Sequence, residues 1–543
     1  MTVGKYLVRR LEQMGLRHIF GVPGDYVLKF MDLIEESSLD LVNTCSELNA
    51  GYAADAYGRL AGVGAVCITY GVGGFSVYNA VAGAFAERVP LIVISGGPRL
   101  SLRGRLHPYL LHHTIGDMNL QHDIFEKITQ AAVVLTSPER AVGQIDEVLA
   151  TCLRTSRPVY LEIPADMVGA RCESPGLWRP DTDLHLDQEV LKEAVEETLT
   201  LIRAAHNPVI LAGVESCRLS ANQDLLDVIE HTGFPVATTT LGKGIIPEQL
   251  PNFIGTYFGS LANESTRKVV ESADLLLCLG AWMTDIDLGG YTANLDPRRL
   301  IIANSEKVKV SHHLYDHVPL KDFLKALRAS VVKGTFRGSK EEHPANSLCR
   351  PFTPVPEARL TTDRFWERMN HFITDNHVLL AETGSAAFDA VKLCLPQKAD
   401  YISQTFYASI GFSIPAALGV KLAQPLCRPV VFVGDGAFQM TGQELSTIIR
   451  LGQNPVIFLL NNDGYQIERV IYDNRYNNLQ MWDYTLLPVV YGAAKGIQVN
   501  TEGDLESALQ EAKERTDSLV FVEVRLDRFD FSETLWKVGE RLK

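Results

Sequence analysis

The sequence predicts an α/β protein built from three doubly wound domains. Two observations carry that expectation: short apolar runs alternate with helix-like spans along the chain, and two stretches rich in Pro, Gly and charge cut the alternation into three blocks. Alternating strands and helices imply parallel sheets covered on both faces, because a crossover helix is what brings the next strand back parallel. At 543 residues the chain is too long for one core, and at roughly 150 residues per domain it has room for three or four.

The first block, residues 1–175, contains "HIFGVPG", "SELNAGYAADAYGRLAG", "GAVCITYGVGG", "PLIVISGG" and "PVYLEIP". The polar "CESPGLWRPDTDLHLD", with Pro175 and Pro180, then reads as a linker. The second block, 190–335, runs through "NPVILAGVES", "FPVATTT", "DLLLCLG" and "RLIIANSE" and ends in "KGTFRGSKEEHPANSLCRPFTPVPEARLT". The third, 355–543, opens on a helix around "DRFWERMNHFITD" and holds the strand-like "HVLLAETG", "PVVFVGDG", "NPVIFLLNND" and "LVFVEVRL".

Composition narrows the function. A formal net charge of -14 repels nucleic acid and anionic lipid, so the expectation is small-molecule chemistry with neither nucleic acid nor membrane as partner. The nine cysteines include no C-x-x-C pair and read as buried thiols in a reducing compartment. The opening "MTVGKYLVRRLEQMG" is broken by charges and lacks the apolar core of a secretory signal. No apolar run reaches the roughly 18 residues of a membrane helix. A cytoplasmic location is expected.

The third block carries the strongest motif. "VVFVGDG" ends a strand with Asp435 between Gly434 and Gly436, and the next strand ends at Asn461-Asn462. In a right-handed crossover both strand ends lie at one carboxyl edge, so Asp435 and Asn462 can converge. Their hard oxygens suit Mg²⁺, and the glycines admit phosphate to the backbone at a helix start. A G-D-G after a strand is also simply a tight turn. With "NNDG", Tyr465, Ile467 and Glu468 following, the run resembles the thiamine diphosphate motif, and Gly464 would then add a backbone oxygen to the metal.

The first block adds ionisable groups. Glu47, in "CSELNAGYAADAYGR", opens a helix, where a carboxylate is also stabilised by the dipole by about 0.3–1 kcal/mol. Asp25 follows a strand in "GVPGDYV", and "LLHHTIGD" supplies His112 and His113. Helical metal pairs are spaced i, i+4, so adjacent histidines read poorly as metal ligands; a surface or core-satisfied pair is the plain alternative. Imidazoles titrate near neutrality and can relay protons beside a carboxylate.

Together Asp25, Glu47, His112, His113 and Glu468 resemble the ionisable set of the pyruvate and indolepyruvate decarboxylase family, a likeness that covers nearly the whole chain through "TYGVGGFSVYNAVAGAFAERVPLIVISGGP", "AETGSAAF" and "ASIGFSIPAALG". The resemblance implies pyrimidine-binding, middle and diphosphate-binding domains, with thiamine diphosphate and Mg²⁺ as cofactors. It implies that Glu47 activates the cofactor and that Asp25 and His113 relay protons with support from His112. Glu468 would serve the substrate carboxylate. Ile410 would bend the cofactor, Thr383, Ser385, Ala408 and Ser409 would contact its pyrimidine, and Gly436, Ala437, Asn462, Gly464, Tyr465, Gln466 and Ile467 its diphosphate side. Gln466 stands where relatives usually carry Thr.

The family pattern also implies a homodimer, paired into a homotetramer, in which Asp25, Glu47, His112 and His113 would face Asp435 and Glu468 of the partner subunit. A pocket of Ala387, Phe388, Ile467, Leu535 and Trp536 would receive the substrate. The small Ala387 leads us to expect branched, longer or aromatic 2-oxo acids such as indolepyruvate, phenylpyruvate or 2-oxoisovalerate. Pyruvate decarboxylase, an acetolactate synthase-like carboligase and a catalytically silent thiamine diphosphate-binding protein are the alternatives. The middle block has no G-x-G-x-x-G for a flavin, and the paired histidines are foreign to the carboligases.

Overall fold

A computed structural model describes residues 1–103, 111–173, 176–334 and 351–543; Pro175, Cys349 and most of the second linker lie outside the described residues. The first sheet is wholly parallel, with strands β1 (His18–Gly21), β2 (Asp40–Asn43), β3 (Gly64–Ile68), β4 (Leu91–Gly97), β5 (Ala131–Val134) and β6 (Val159–Pro164) in the order β2-β1-β3-β4-β6-β5. The middle sheet holds β7 (Pro208–Ala212), β8 (Val236–Thr238), β9 (Phe253–Thr256), β10 (Leu275–Leu279), β11 (Leu300–Ala303), β12 (Lys307–Val310) and β13 (His313–Asp316). Its order is β13-β12-β11-β10-β7-β8-β9. The β11–β12 and β12–β13 pairs are antiparallel, an edge the sequence did not announce because these strands are only four residues long.

The third sheet is again parallel: β14 (His377–Ala381), β15 (Asp400–Ile402), β16 (Arg428–Gly434), β17 (Val456–Asn461), β18 (Ile497–Val499) and β19 (Val520–Arg525), ordered β15-β14-β16-β17-β19-β18. Strand order reverses between β1 and β3 in the first sheet and between β14 and β16 in the third. Ligands of open α/β sheets bind at such switch points, outside the carboxyl ends of the strands. The loops carrying Asp25, Thr383 and Asp435 leave the sheets there.

The first and third sheets share one core, joined by the helices Glu47–Ala61 and Ser413–Ala423. Both are rich in small residues and buried nearly all round, so their backbones touch: a Cβ on Gly419 would lie 2.0 Å from the Ala53 carbonyl oxygen. Buried Arg59 pairs with Asp55 and Glu87, and Glu87 accepts the amides of Phe406 and Tyr407 from the third domain. This fixes the loop that leads to Ala408. Among the described residues no helix is long and apolar enough to cross a membrane.

Candidate active site

Asp435 is the first residue of the helix Asp435–Thr441, which breaks at Gly442. The Asp435 carboxylate is buried and accepts the amides of Gly436 at 2.8 Å and Gly464 at 2.9 Å. Burial pushes its carboxyl up to about 7, because no bulk water solvates the charge. Asn461 spends its side-chain amide on Glu523 at 2.7 Å, whereas Asn462 Oδ1 is buried with no hydrogen-bond partner. A buried carboxylate beside an unspent amide oxygen is a donor set that fits a hard divalent cation.

The glycines around it are required. At Gly464, φ is 132° and a Cβ would lie 2.0 Å from the Asn477 carbonyl oxygen; on Gly436 it would meet the Tyr465 ring at 2.4 Å. Buried Gln466 sends its amide to the Asp530 carbonyl at 3.2 Å, so the departure from Thr ties this loop to the segment before the C-terminal helix Glu533–Leu542. Glu468 is exposed.

The residues expected on the pyrimidine side are held by a group that the sequence reading missed. Glu382 is fully buried; one carboxylate oxygen accepts the Thr383 amide at 3.1 Å, the other the Ser413 amide at 3.0 Å and hydroxyl at 2.7 Å. It thereby clamps the end of β14 to the loop of Ala408, Ser409 and Ile410. Its position directly after an apolar strand was the available signal. Ala408 has φ of 59°, and Ser409 Oγ bonds Tyr52 and Asn79 at 2.6 and 2.8 Å. Thr383 donates to the Gln404 carbonyl, and Ser385 begins the helix Ser385–Ala390.

In the first domain the predicted set does converge. His112 Nε2 and Asp25 Oδ2 are 2.5 Å apart, and His113 Nδ1 lies 3.8 Å from Asp25 Oδ1. Although burial acts to raise it, the hydrogen bond and charge of His112, with His113, hold the Asp25 carboxyl below the usual range. The adjacent rings reach one carboxylate because His113 has φ of 65°. Tyr26 stacks on His112 and donates its hydroxyl to the His112 carbonyl. A Cβ on Gly71 would strike the His113 carbonyl oxygen at 2.0 Å, and one on Gly73 would lie 3.3 Å from Glu47 Oε1. Glu47 and the histidine turn therefore border the same start of the helix Val72–Ala86.

The pocket set divides. Phe388 and Ile467 pack with Val391 and with Val538 of the C-terminal helix. Ala387 lies instead in the core of the third sheet, 2% exposed. Neighbouring helical positions point about 100° apart, so Ala387 and Phe388 pack against different neighbours. Leu535 is buried, and Trp536 is half-exposed near Phe531 and Lys543.

A buried carboxylate beside an unspent amide oxygen at one switch point and an Asp-His-His-Glu set at another are the kind of groups a cofactor-dependent enzyme of small-molecule chemistry uses. Family models for the thiamine pyrophosphate enzymes match all three parts: the N-terminal TPP binding domain over residues 1–124, the central domain over 195–329 and the C-terminal TPP binding domain over 382–524. The chain is 36% identical to pyruvate decarboxylase 1 of Pisum sativum, over 100% of this chain and 93% of the relative. It is 35% identical to pyruvate decarboxylase isozyme 3 of Saccharomyces cerevisiae, over 99% and 98% of the two chains. The chain belongs to the thiamine diphosphate-dependent 2-oxo acid decarboxylase family.

Proposed function

We propose that the enzyme converts pyruvate to acetaldehyde and CO₂, with Mg²⁺ holding the diphosphate. The convergence of Asp25, His112, His113 and Glu47 beside one helix start carries this reading. The names of the relatives and the core packing of Ala387 favour a small substrate. When bound, thiamine diphosphate supplies the electron sink that decarboxylation needs.

The chain's residues do the rest. Asp435 and Asn462, with the Gly464 carbonyl, hold the cation; Gly436, Ala437, Tyr465, Gln466 and Ile467 shape the diphosphate side. Thr383, Ser385, Ala408, Ser409 and Ile410 orient the pyrimidine. Glu47 exchanges a proton with the aminopyrimidine, Asp25 and His113 return a proton to the product carbon with His112 in support, and Glu468 faces the substrate carboxylate. His113→Ala and Asp25→Asn are expected to lower turnover by about a hundredfold, the usual size of a lost acid/base group. Rapid acid quench should then find cofactor-bound carbon accumulating. Only free cofactor at steady state would count against the relay.

A shared site in a homodimer, assembled as a homotetramer in the cytoplasm, is part of this reading. Within one chain, Glu444 accepts from Asn49 and from the Cys45 amide, which puts the helix of Glu47 against the far end of the turns that start at Asp435. The helix Asp435–Thr441 alone spans seven residues, roughly 10 Å of rise, before the turn of Glu444 begins. Exposed Val72, Phe75, Phe406, Tyr407 and Met440 supply apolar surface for a second copy. Sedimentation of the holoenzyme at the monomer mass, with full activity, would refute the shared site.

A second reading, preference for branched or aromatic 2-oxo acids, is favoured by the apolar wall of Phe388, Ile467 and Val538. A 2-oxo acid panel assayed with thiamine diphosphate and Mg²⁺ decides between them: the highest specificity constant should fall to pyruvate. It also exposes a carboligase or a silent binding protein. Ile467→Ala should raise the ratio for phenylpyruvate over pyruvate by about tenfold, within the 1–3 kcal/mol range of added apolar contact. Ala387→Trp should instead overpack the core and cost about 1–3 kcal/mol of stability, read as a lower Tm.

A further inference from the structure

We propose that Asp25, His112 and His113 form a second cation site, apart from the Asp435 clamp, that takes Zn²⁺ or a similar transition ion and blocks turnover when filled. This rests on the reading of these residues as the proton relay. Helical metal pairs are spaced i, i+4, which is why the adjacent histidines of "LHHT" argue against shared ligation. The left-handed backbone at His113 overturns that argument, for one ligand atom from each of the three residues lies within 4.8 Å of the other two.

The donors are two imidazoles and a carboxylate, a set suited to Zn²⁺ and poorly suited to Mg²⁺, which prefers oxygen. With Zn–N and Zn–O bonds of about 2.0–2.2 Å, tetrahedral ligand atoms stand roughly 3.3–3.5 Å apart. The His112–Asp25 separation of 2.5 Å needs to open by under 1 Å, and the His113–Asp25 separation of 3.8 Å needs to close slightly. His113 Nδ1 is buried without a hydrogen-bond partner, so its lone pair is unspent. The Tyr26 ring and hydroxyl hold His112 in place as outer-shell groups do in metal centres. Asp25 and His112 are half-exposed, which leaves a coordination position open to solvent. An ion on these nitrogens occupies the lone pairs that would otherwise carry protons.

The test uses holoenzyme saturated with thiamine diphosphate and Mg²⁺. Zn²⁺ is titrated by calorimetry and Co²⁺ by visible absorption. One ion per chain is expected beyond the Mg²⁺, with a Co²⁺ band of nitrogen and oxygen coordination. Turnover should fall at least tenfold in step with occupancy and return on chelation. The His112→Ala/His113→Ala double variant, its fold verified by retained cofactor binding, should lose at least tenfold in affinity. Absence of the Co²⁺ band overturns the proposal. So does undiminished binding in the double variant, which would put the ion on exposed Cys45 or Cys217. Zn²⁺ bound with turnover unchanged overturns the block. The relay itself is judged separately: His113→Ala holoenzyme with Mg²⁺ but no Zn²⁺ and with normal turnover would sink it and leave the binding data untouched.

Discussion

Asp435→Ala should bind thiamine diphosphate and Mg²⁺ at least about a hundredfold more weakly than the unsubstituted enzyme, since even outer-shell changes cost metal sites 10–100-fold, and should have no measurable turnover. Two losses combine. The cation loses its anionic ligand at a buried position, and the amides of Gly436 and Gly464 lose their acceptor. A buried donor left unsatisfied costs about 1–3 kcal/mol, so the loop that presents Gly464 should also loosen. Asp435→Asn separates the two effects. It removes the charge and keeps one acceptor oxygen for two amides that reach different carboxylate oxygens, so the apoprotein should lose less Tm than Asp435→Ala does and still fail to bind the cofactor pair. Calorimetry measures both variants, and tight cofactor binding by Asp435→Ala would refute the clamp.

What could be read from the sequence follows from how local each feature is. Gly434-Asp435-Gly436 was legible because a carboxylate at the end of an apolar strand has one place to go, the carboxyl edge of the sheet. Asn461 and Asn462 are adjacent and chemically alike, yet only the structure shows that Asn461 is used on Glu523 while Asn462 Oδ1 stays bare. The histidine pair was visible as residues, but its geometry depends on a positive φ at His113 that composition does not encode. Ala387 was visible as a small residue after a strand, but its packing into the core of the third sheet depends on helix phase, which a one-residue difference decides. Glu382 was signalled only by its place directly after an apolar strand, for its partners Thr383 and Ser413 meet only when the loop folds back. The β12–β13 edge was missed for the same reason that short strands carry little periodicity.

Glu47→Gln should lower turnover by about a hundredfold or more while leaving cofactor affinity nearly unchanged, the signature of a lost proton-transfer group and not of lost binding. Glutamine has the same shape and still offers an oxygen, but it cannot take up or release a proton at that position. The side chain sits where the alternative explanation is also strongest, in the first turn of a helix capped by Ser46, whose hydroxyl accepts the Asn49 amide at 3.2 Å. A purely structural Glu47 would contribute about 0.3–1 kcal/mol through the helix dipole, and its neutralisation would appear as a small fall in Tm with near-normal turnover. The two accounts therefore separate on measurements made with one variant. Glu47 Oε1 lies over Gly73, close enough to the start of the helix Val72–Ala86 that no side chain is accommodated between them without displacement. The aminopyrimidine is expected on the free side of this Glu47 carboxylate, beside the Asp25 and histidine turn. Exchange of the thiazolium carbon proton for deuterium, followed by NMR after acid quench, should slow in step with turnover. Exchange at the unsubstituted rate, with turnover intact and only Tm reduced, would leave Glu47 as a helix-stabilising residue and remove it from the chemistry.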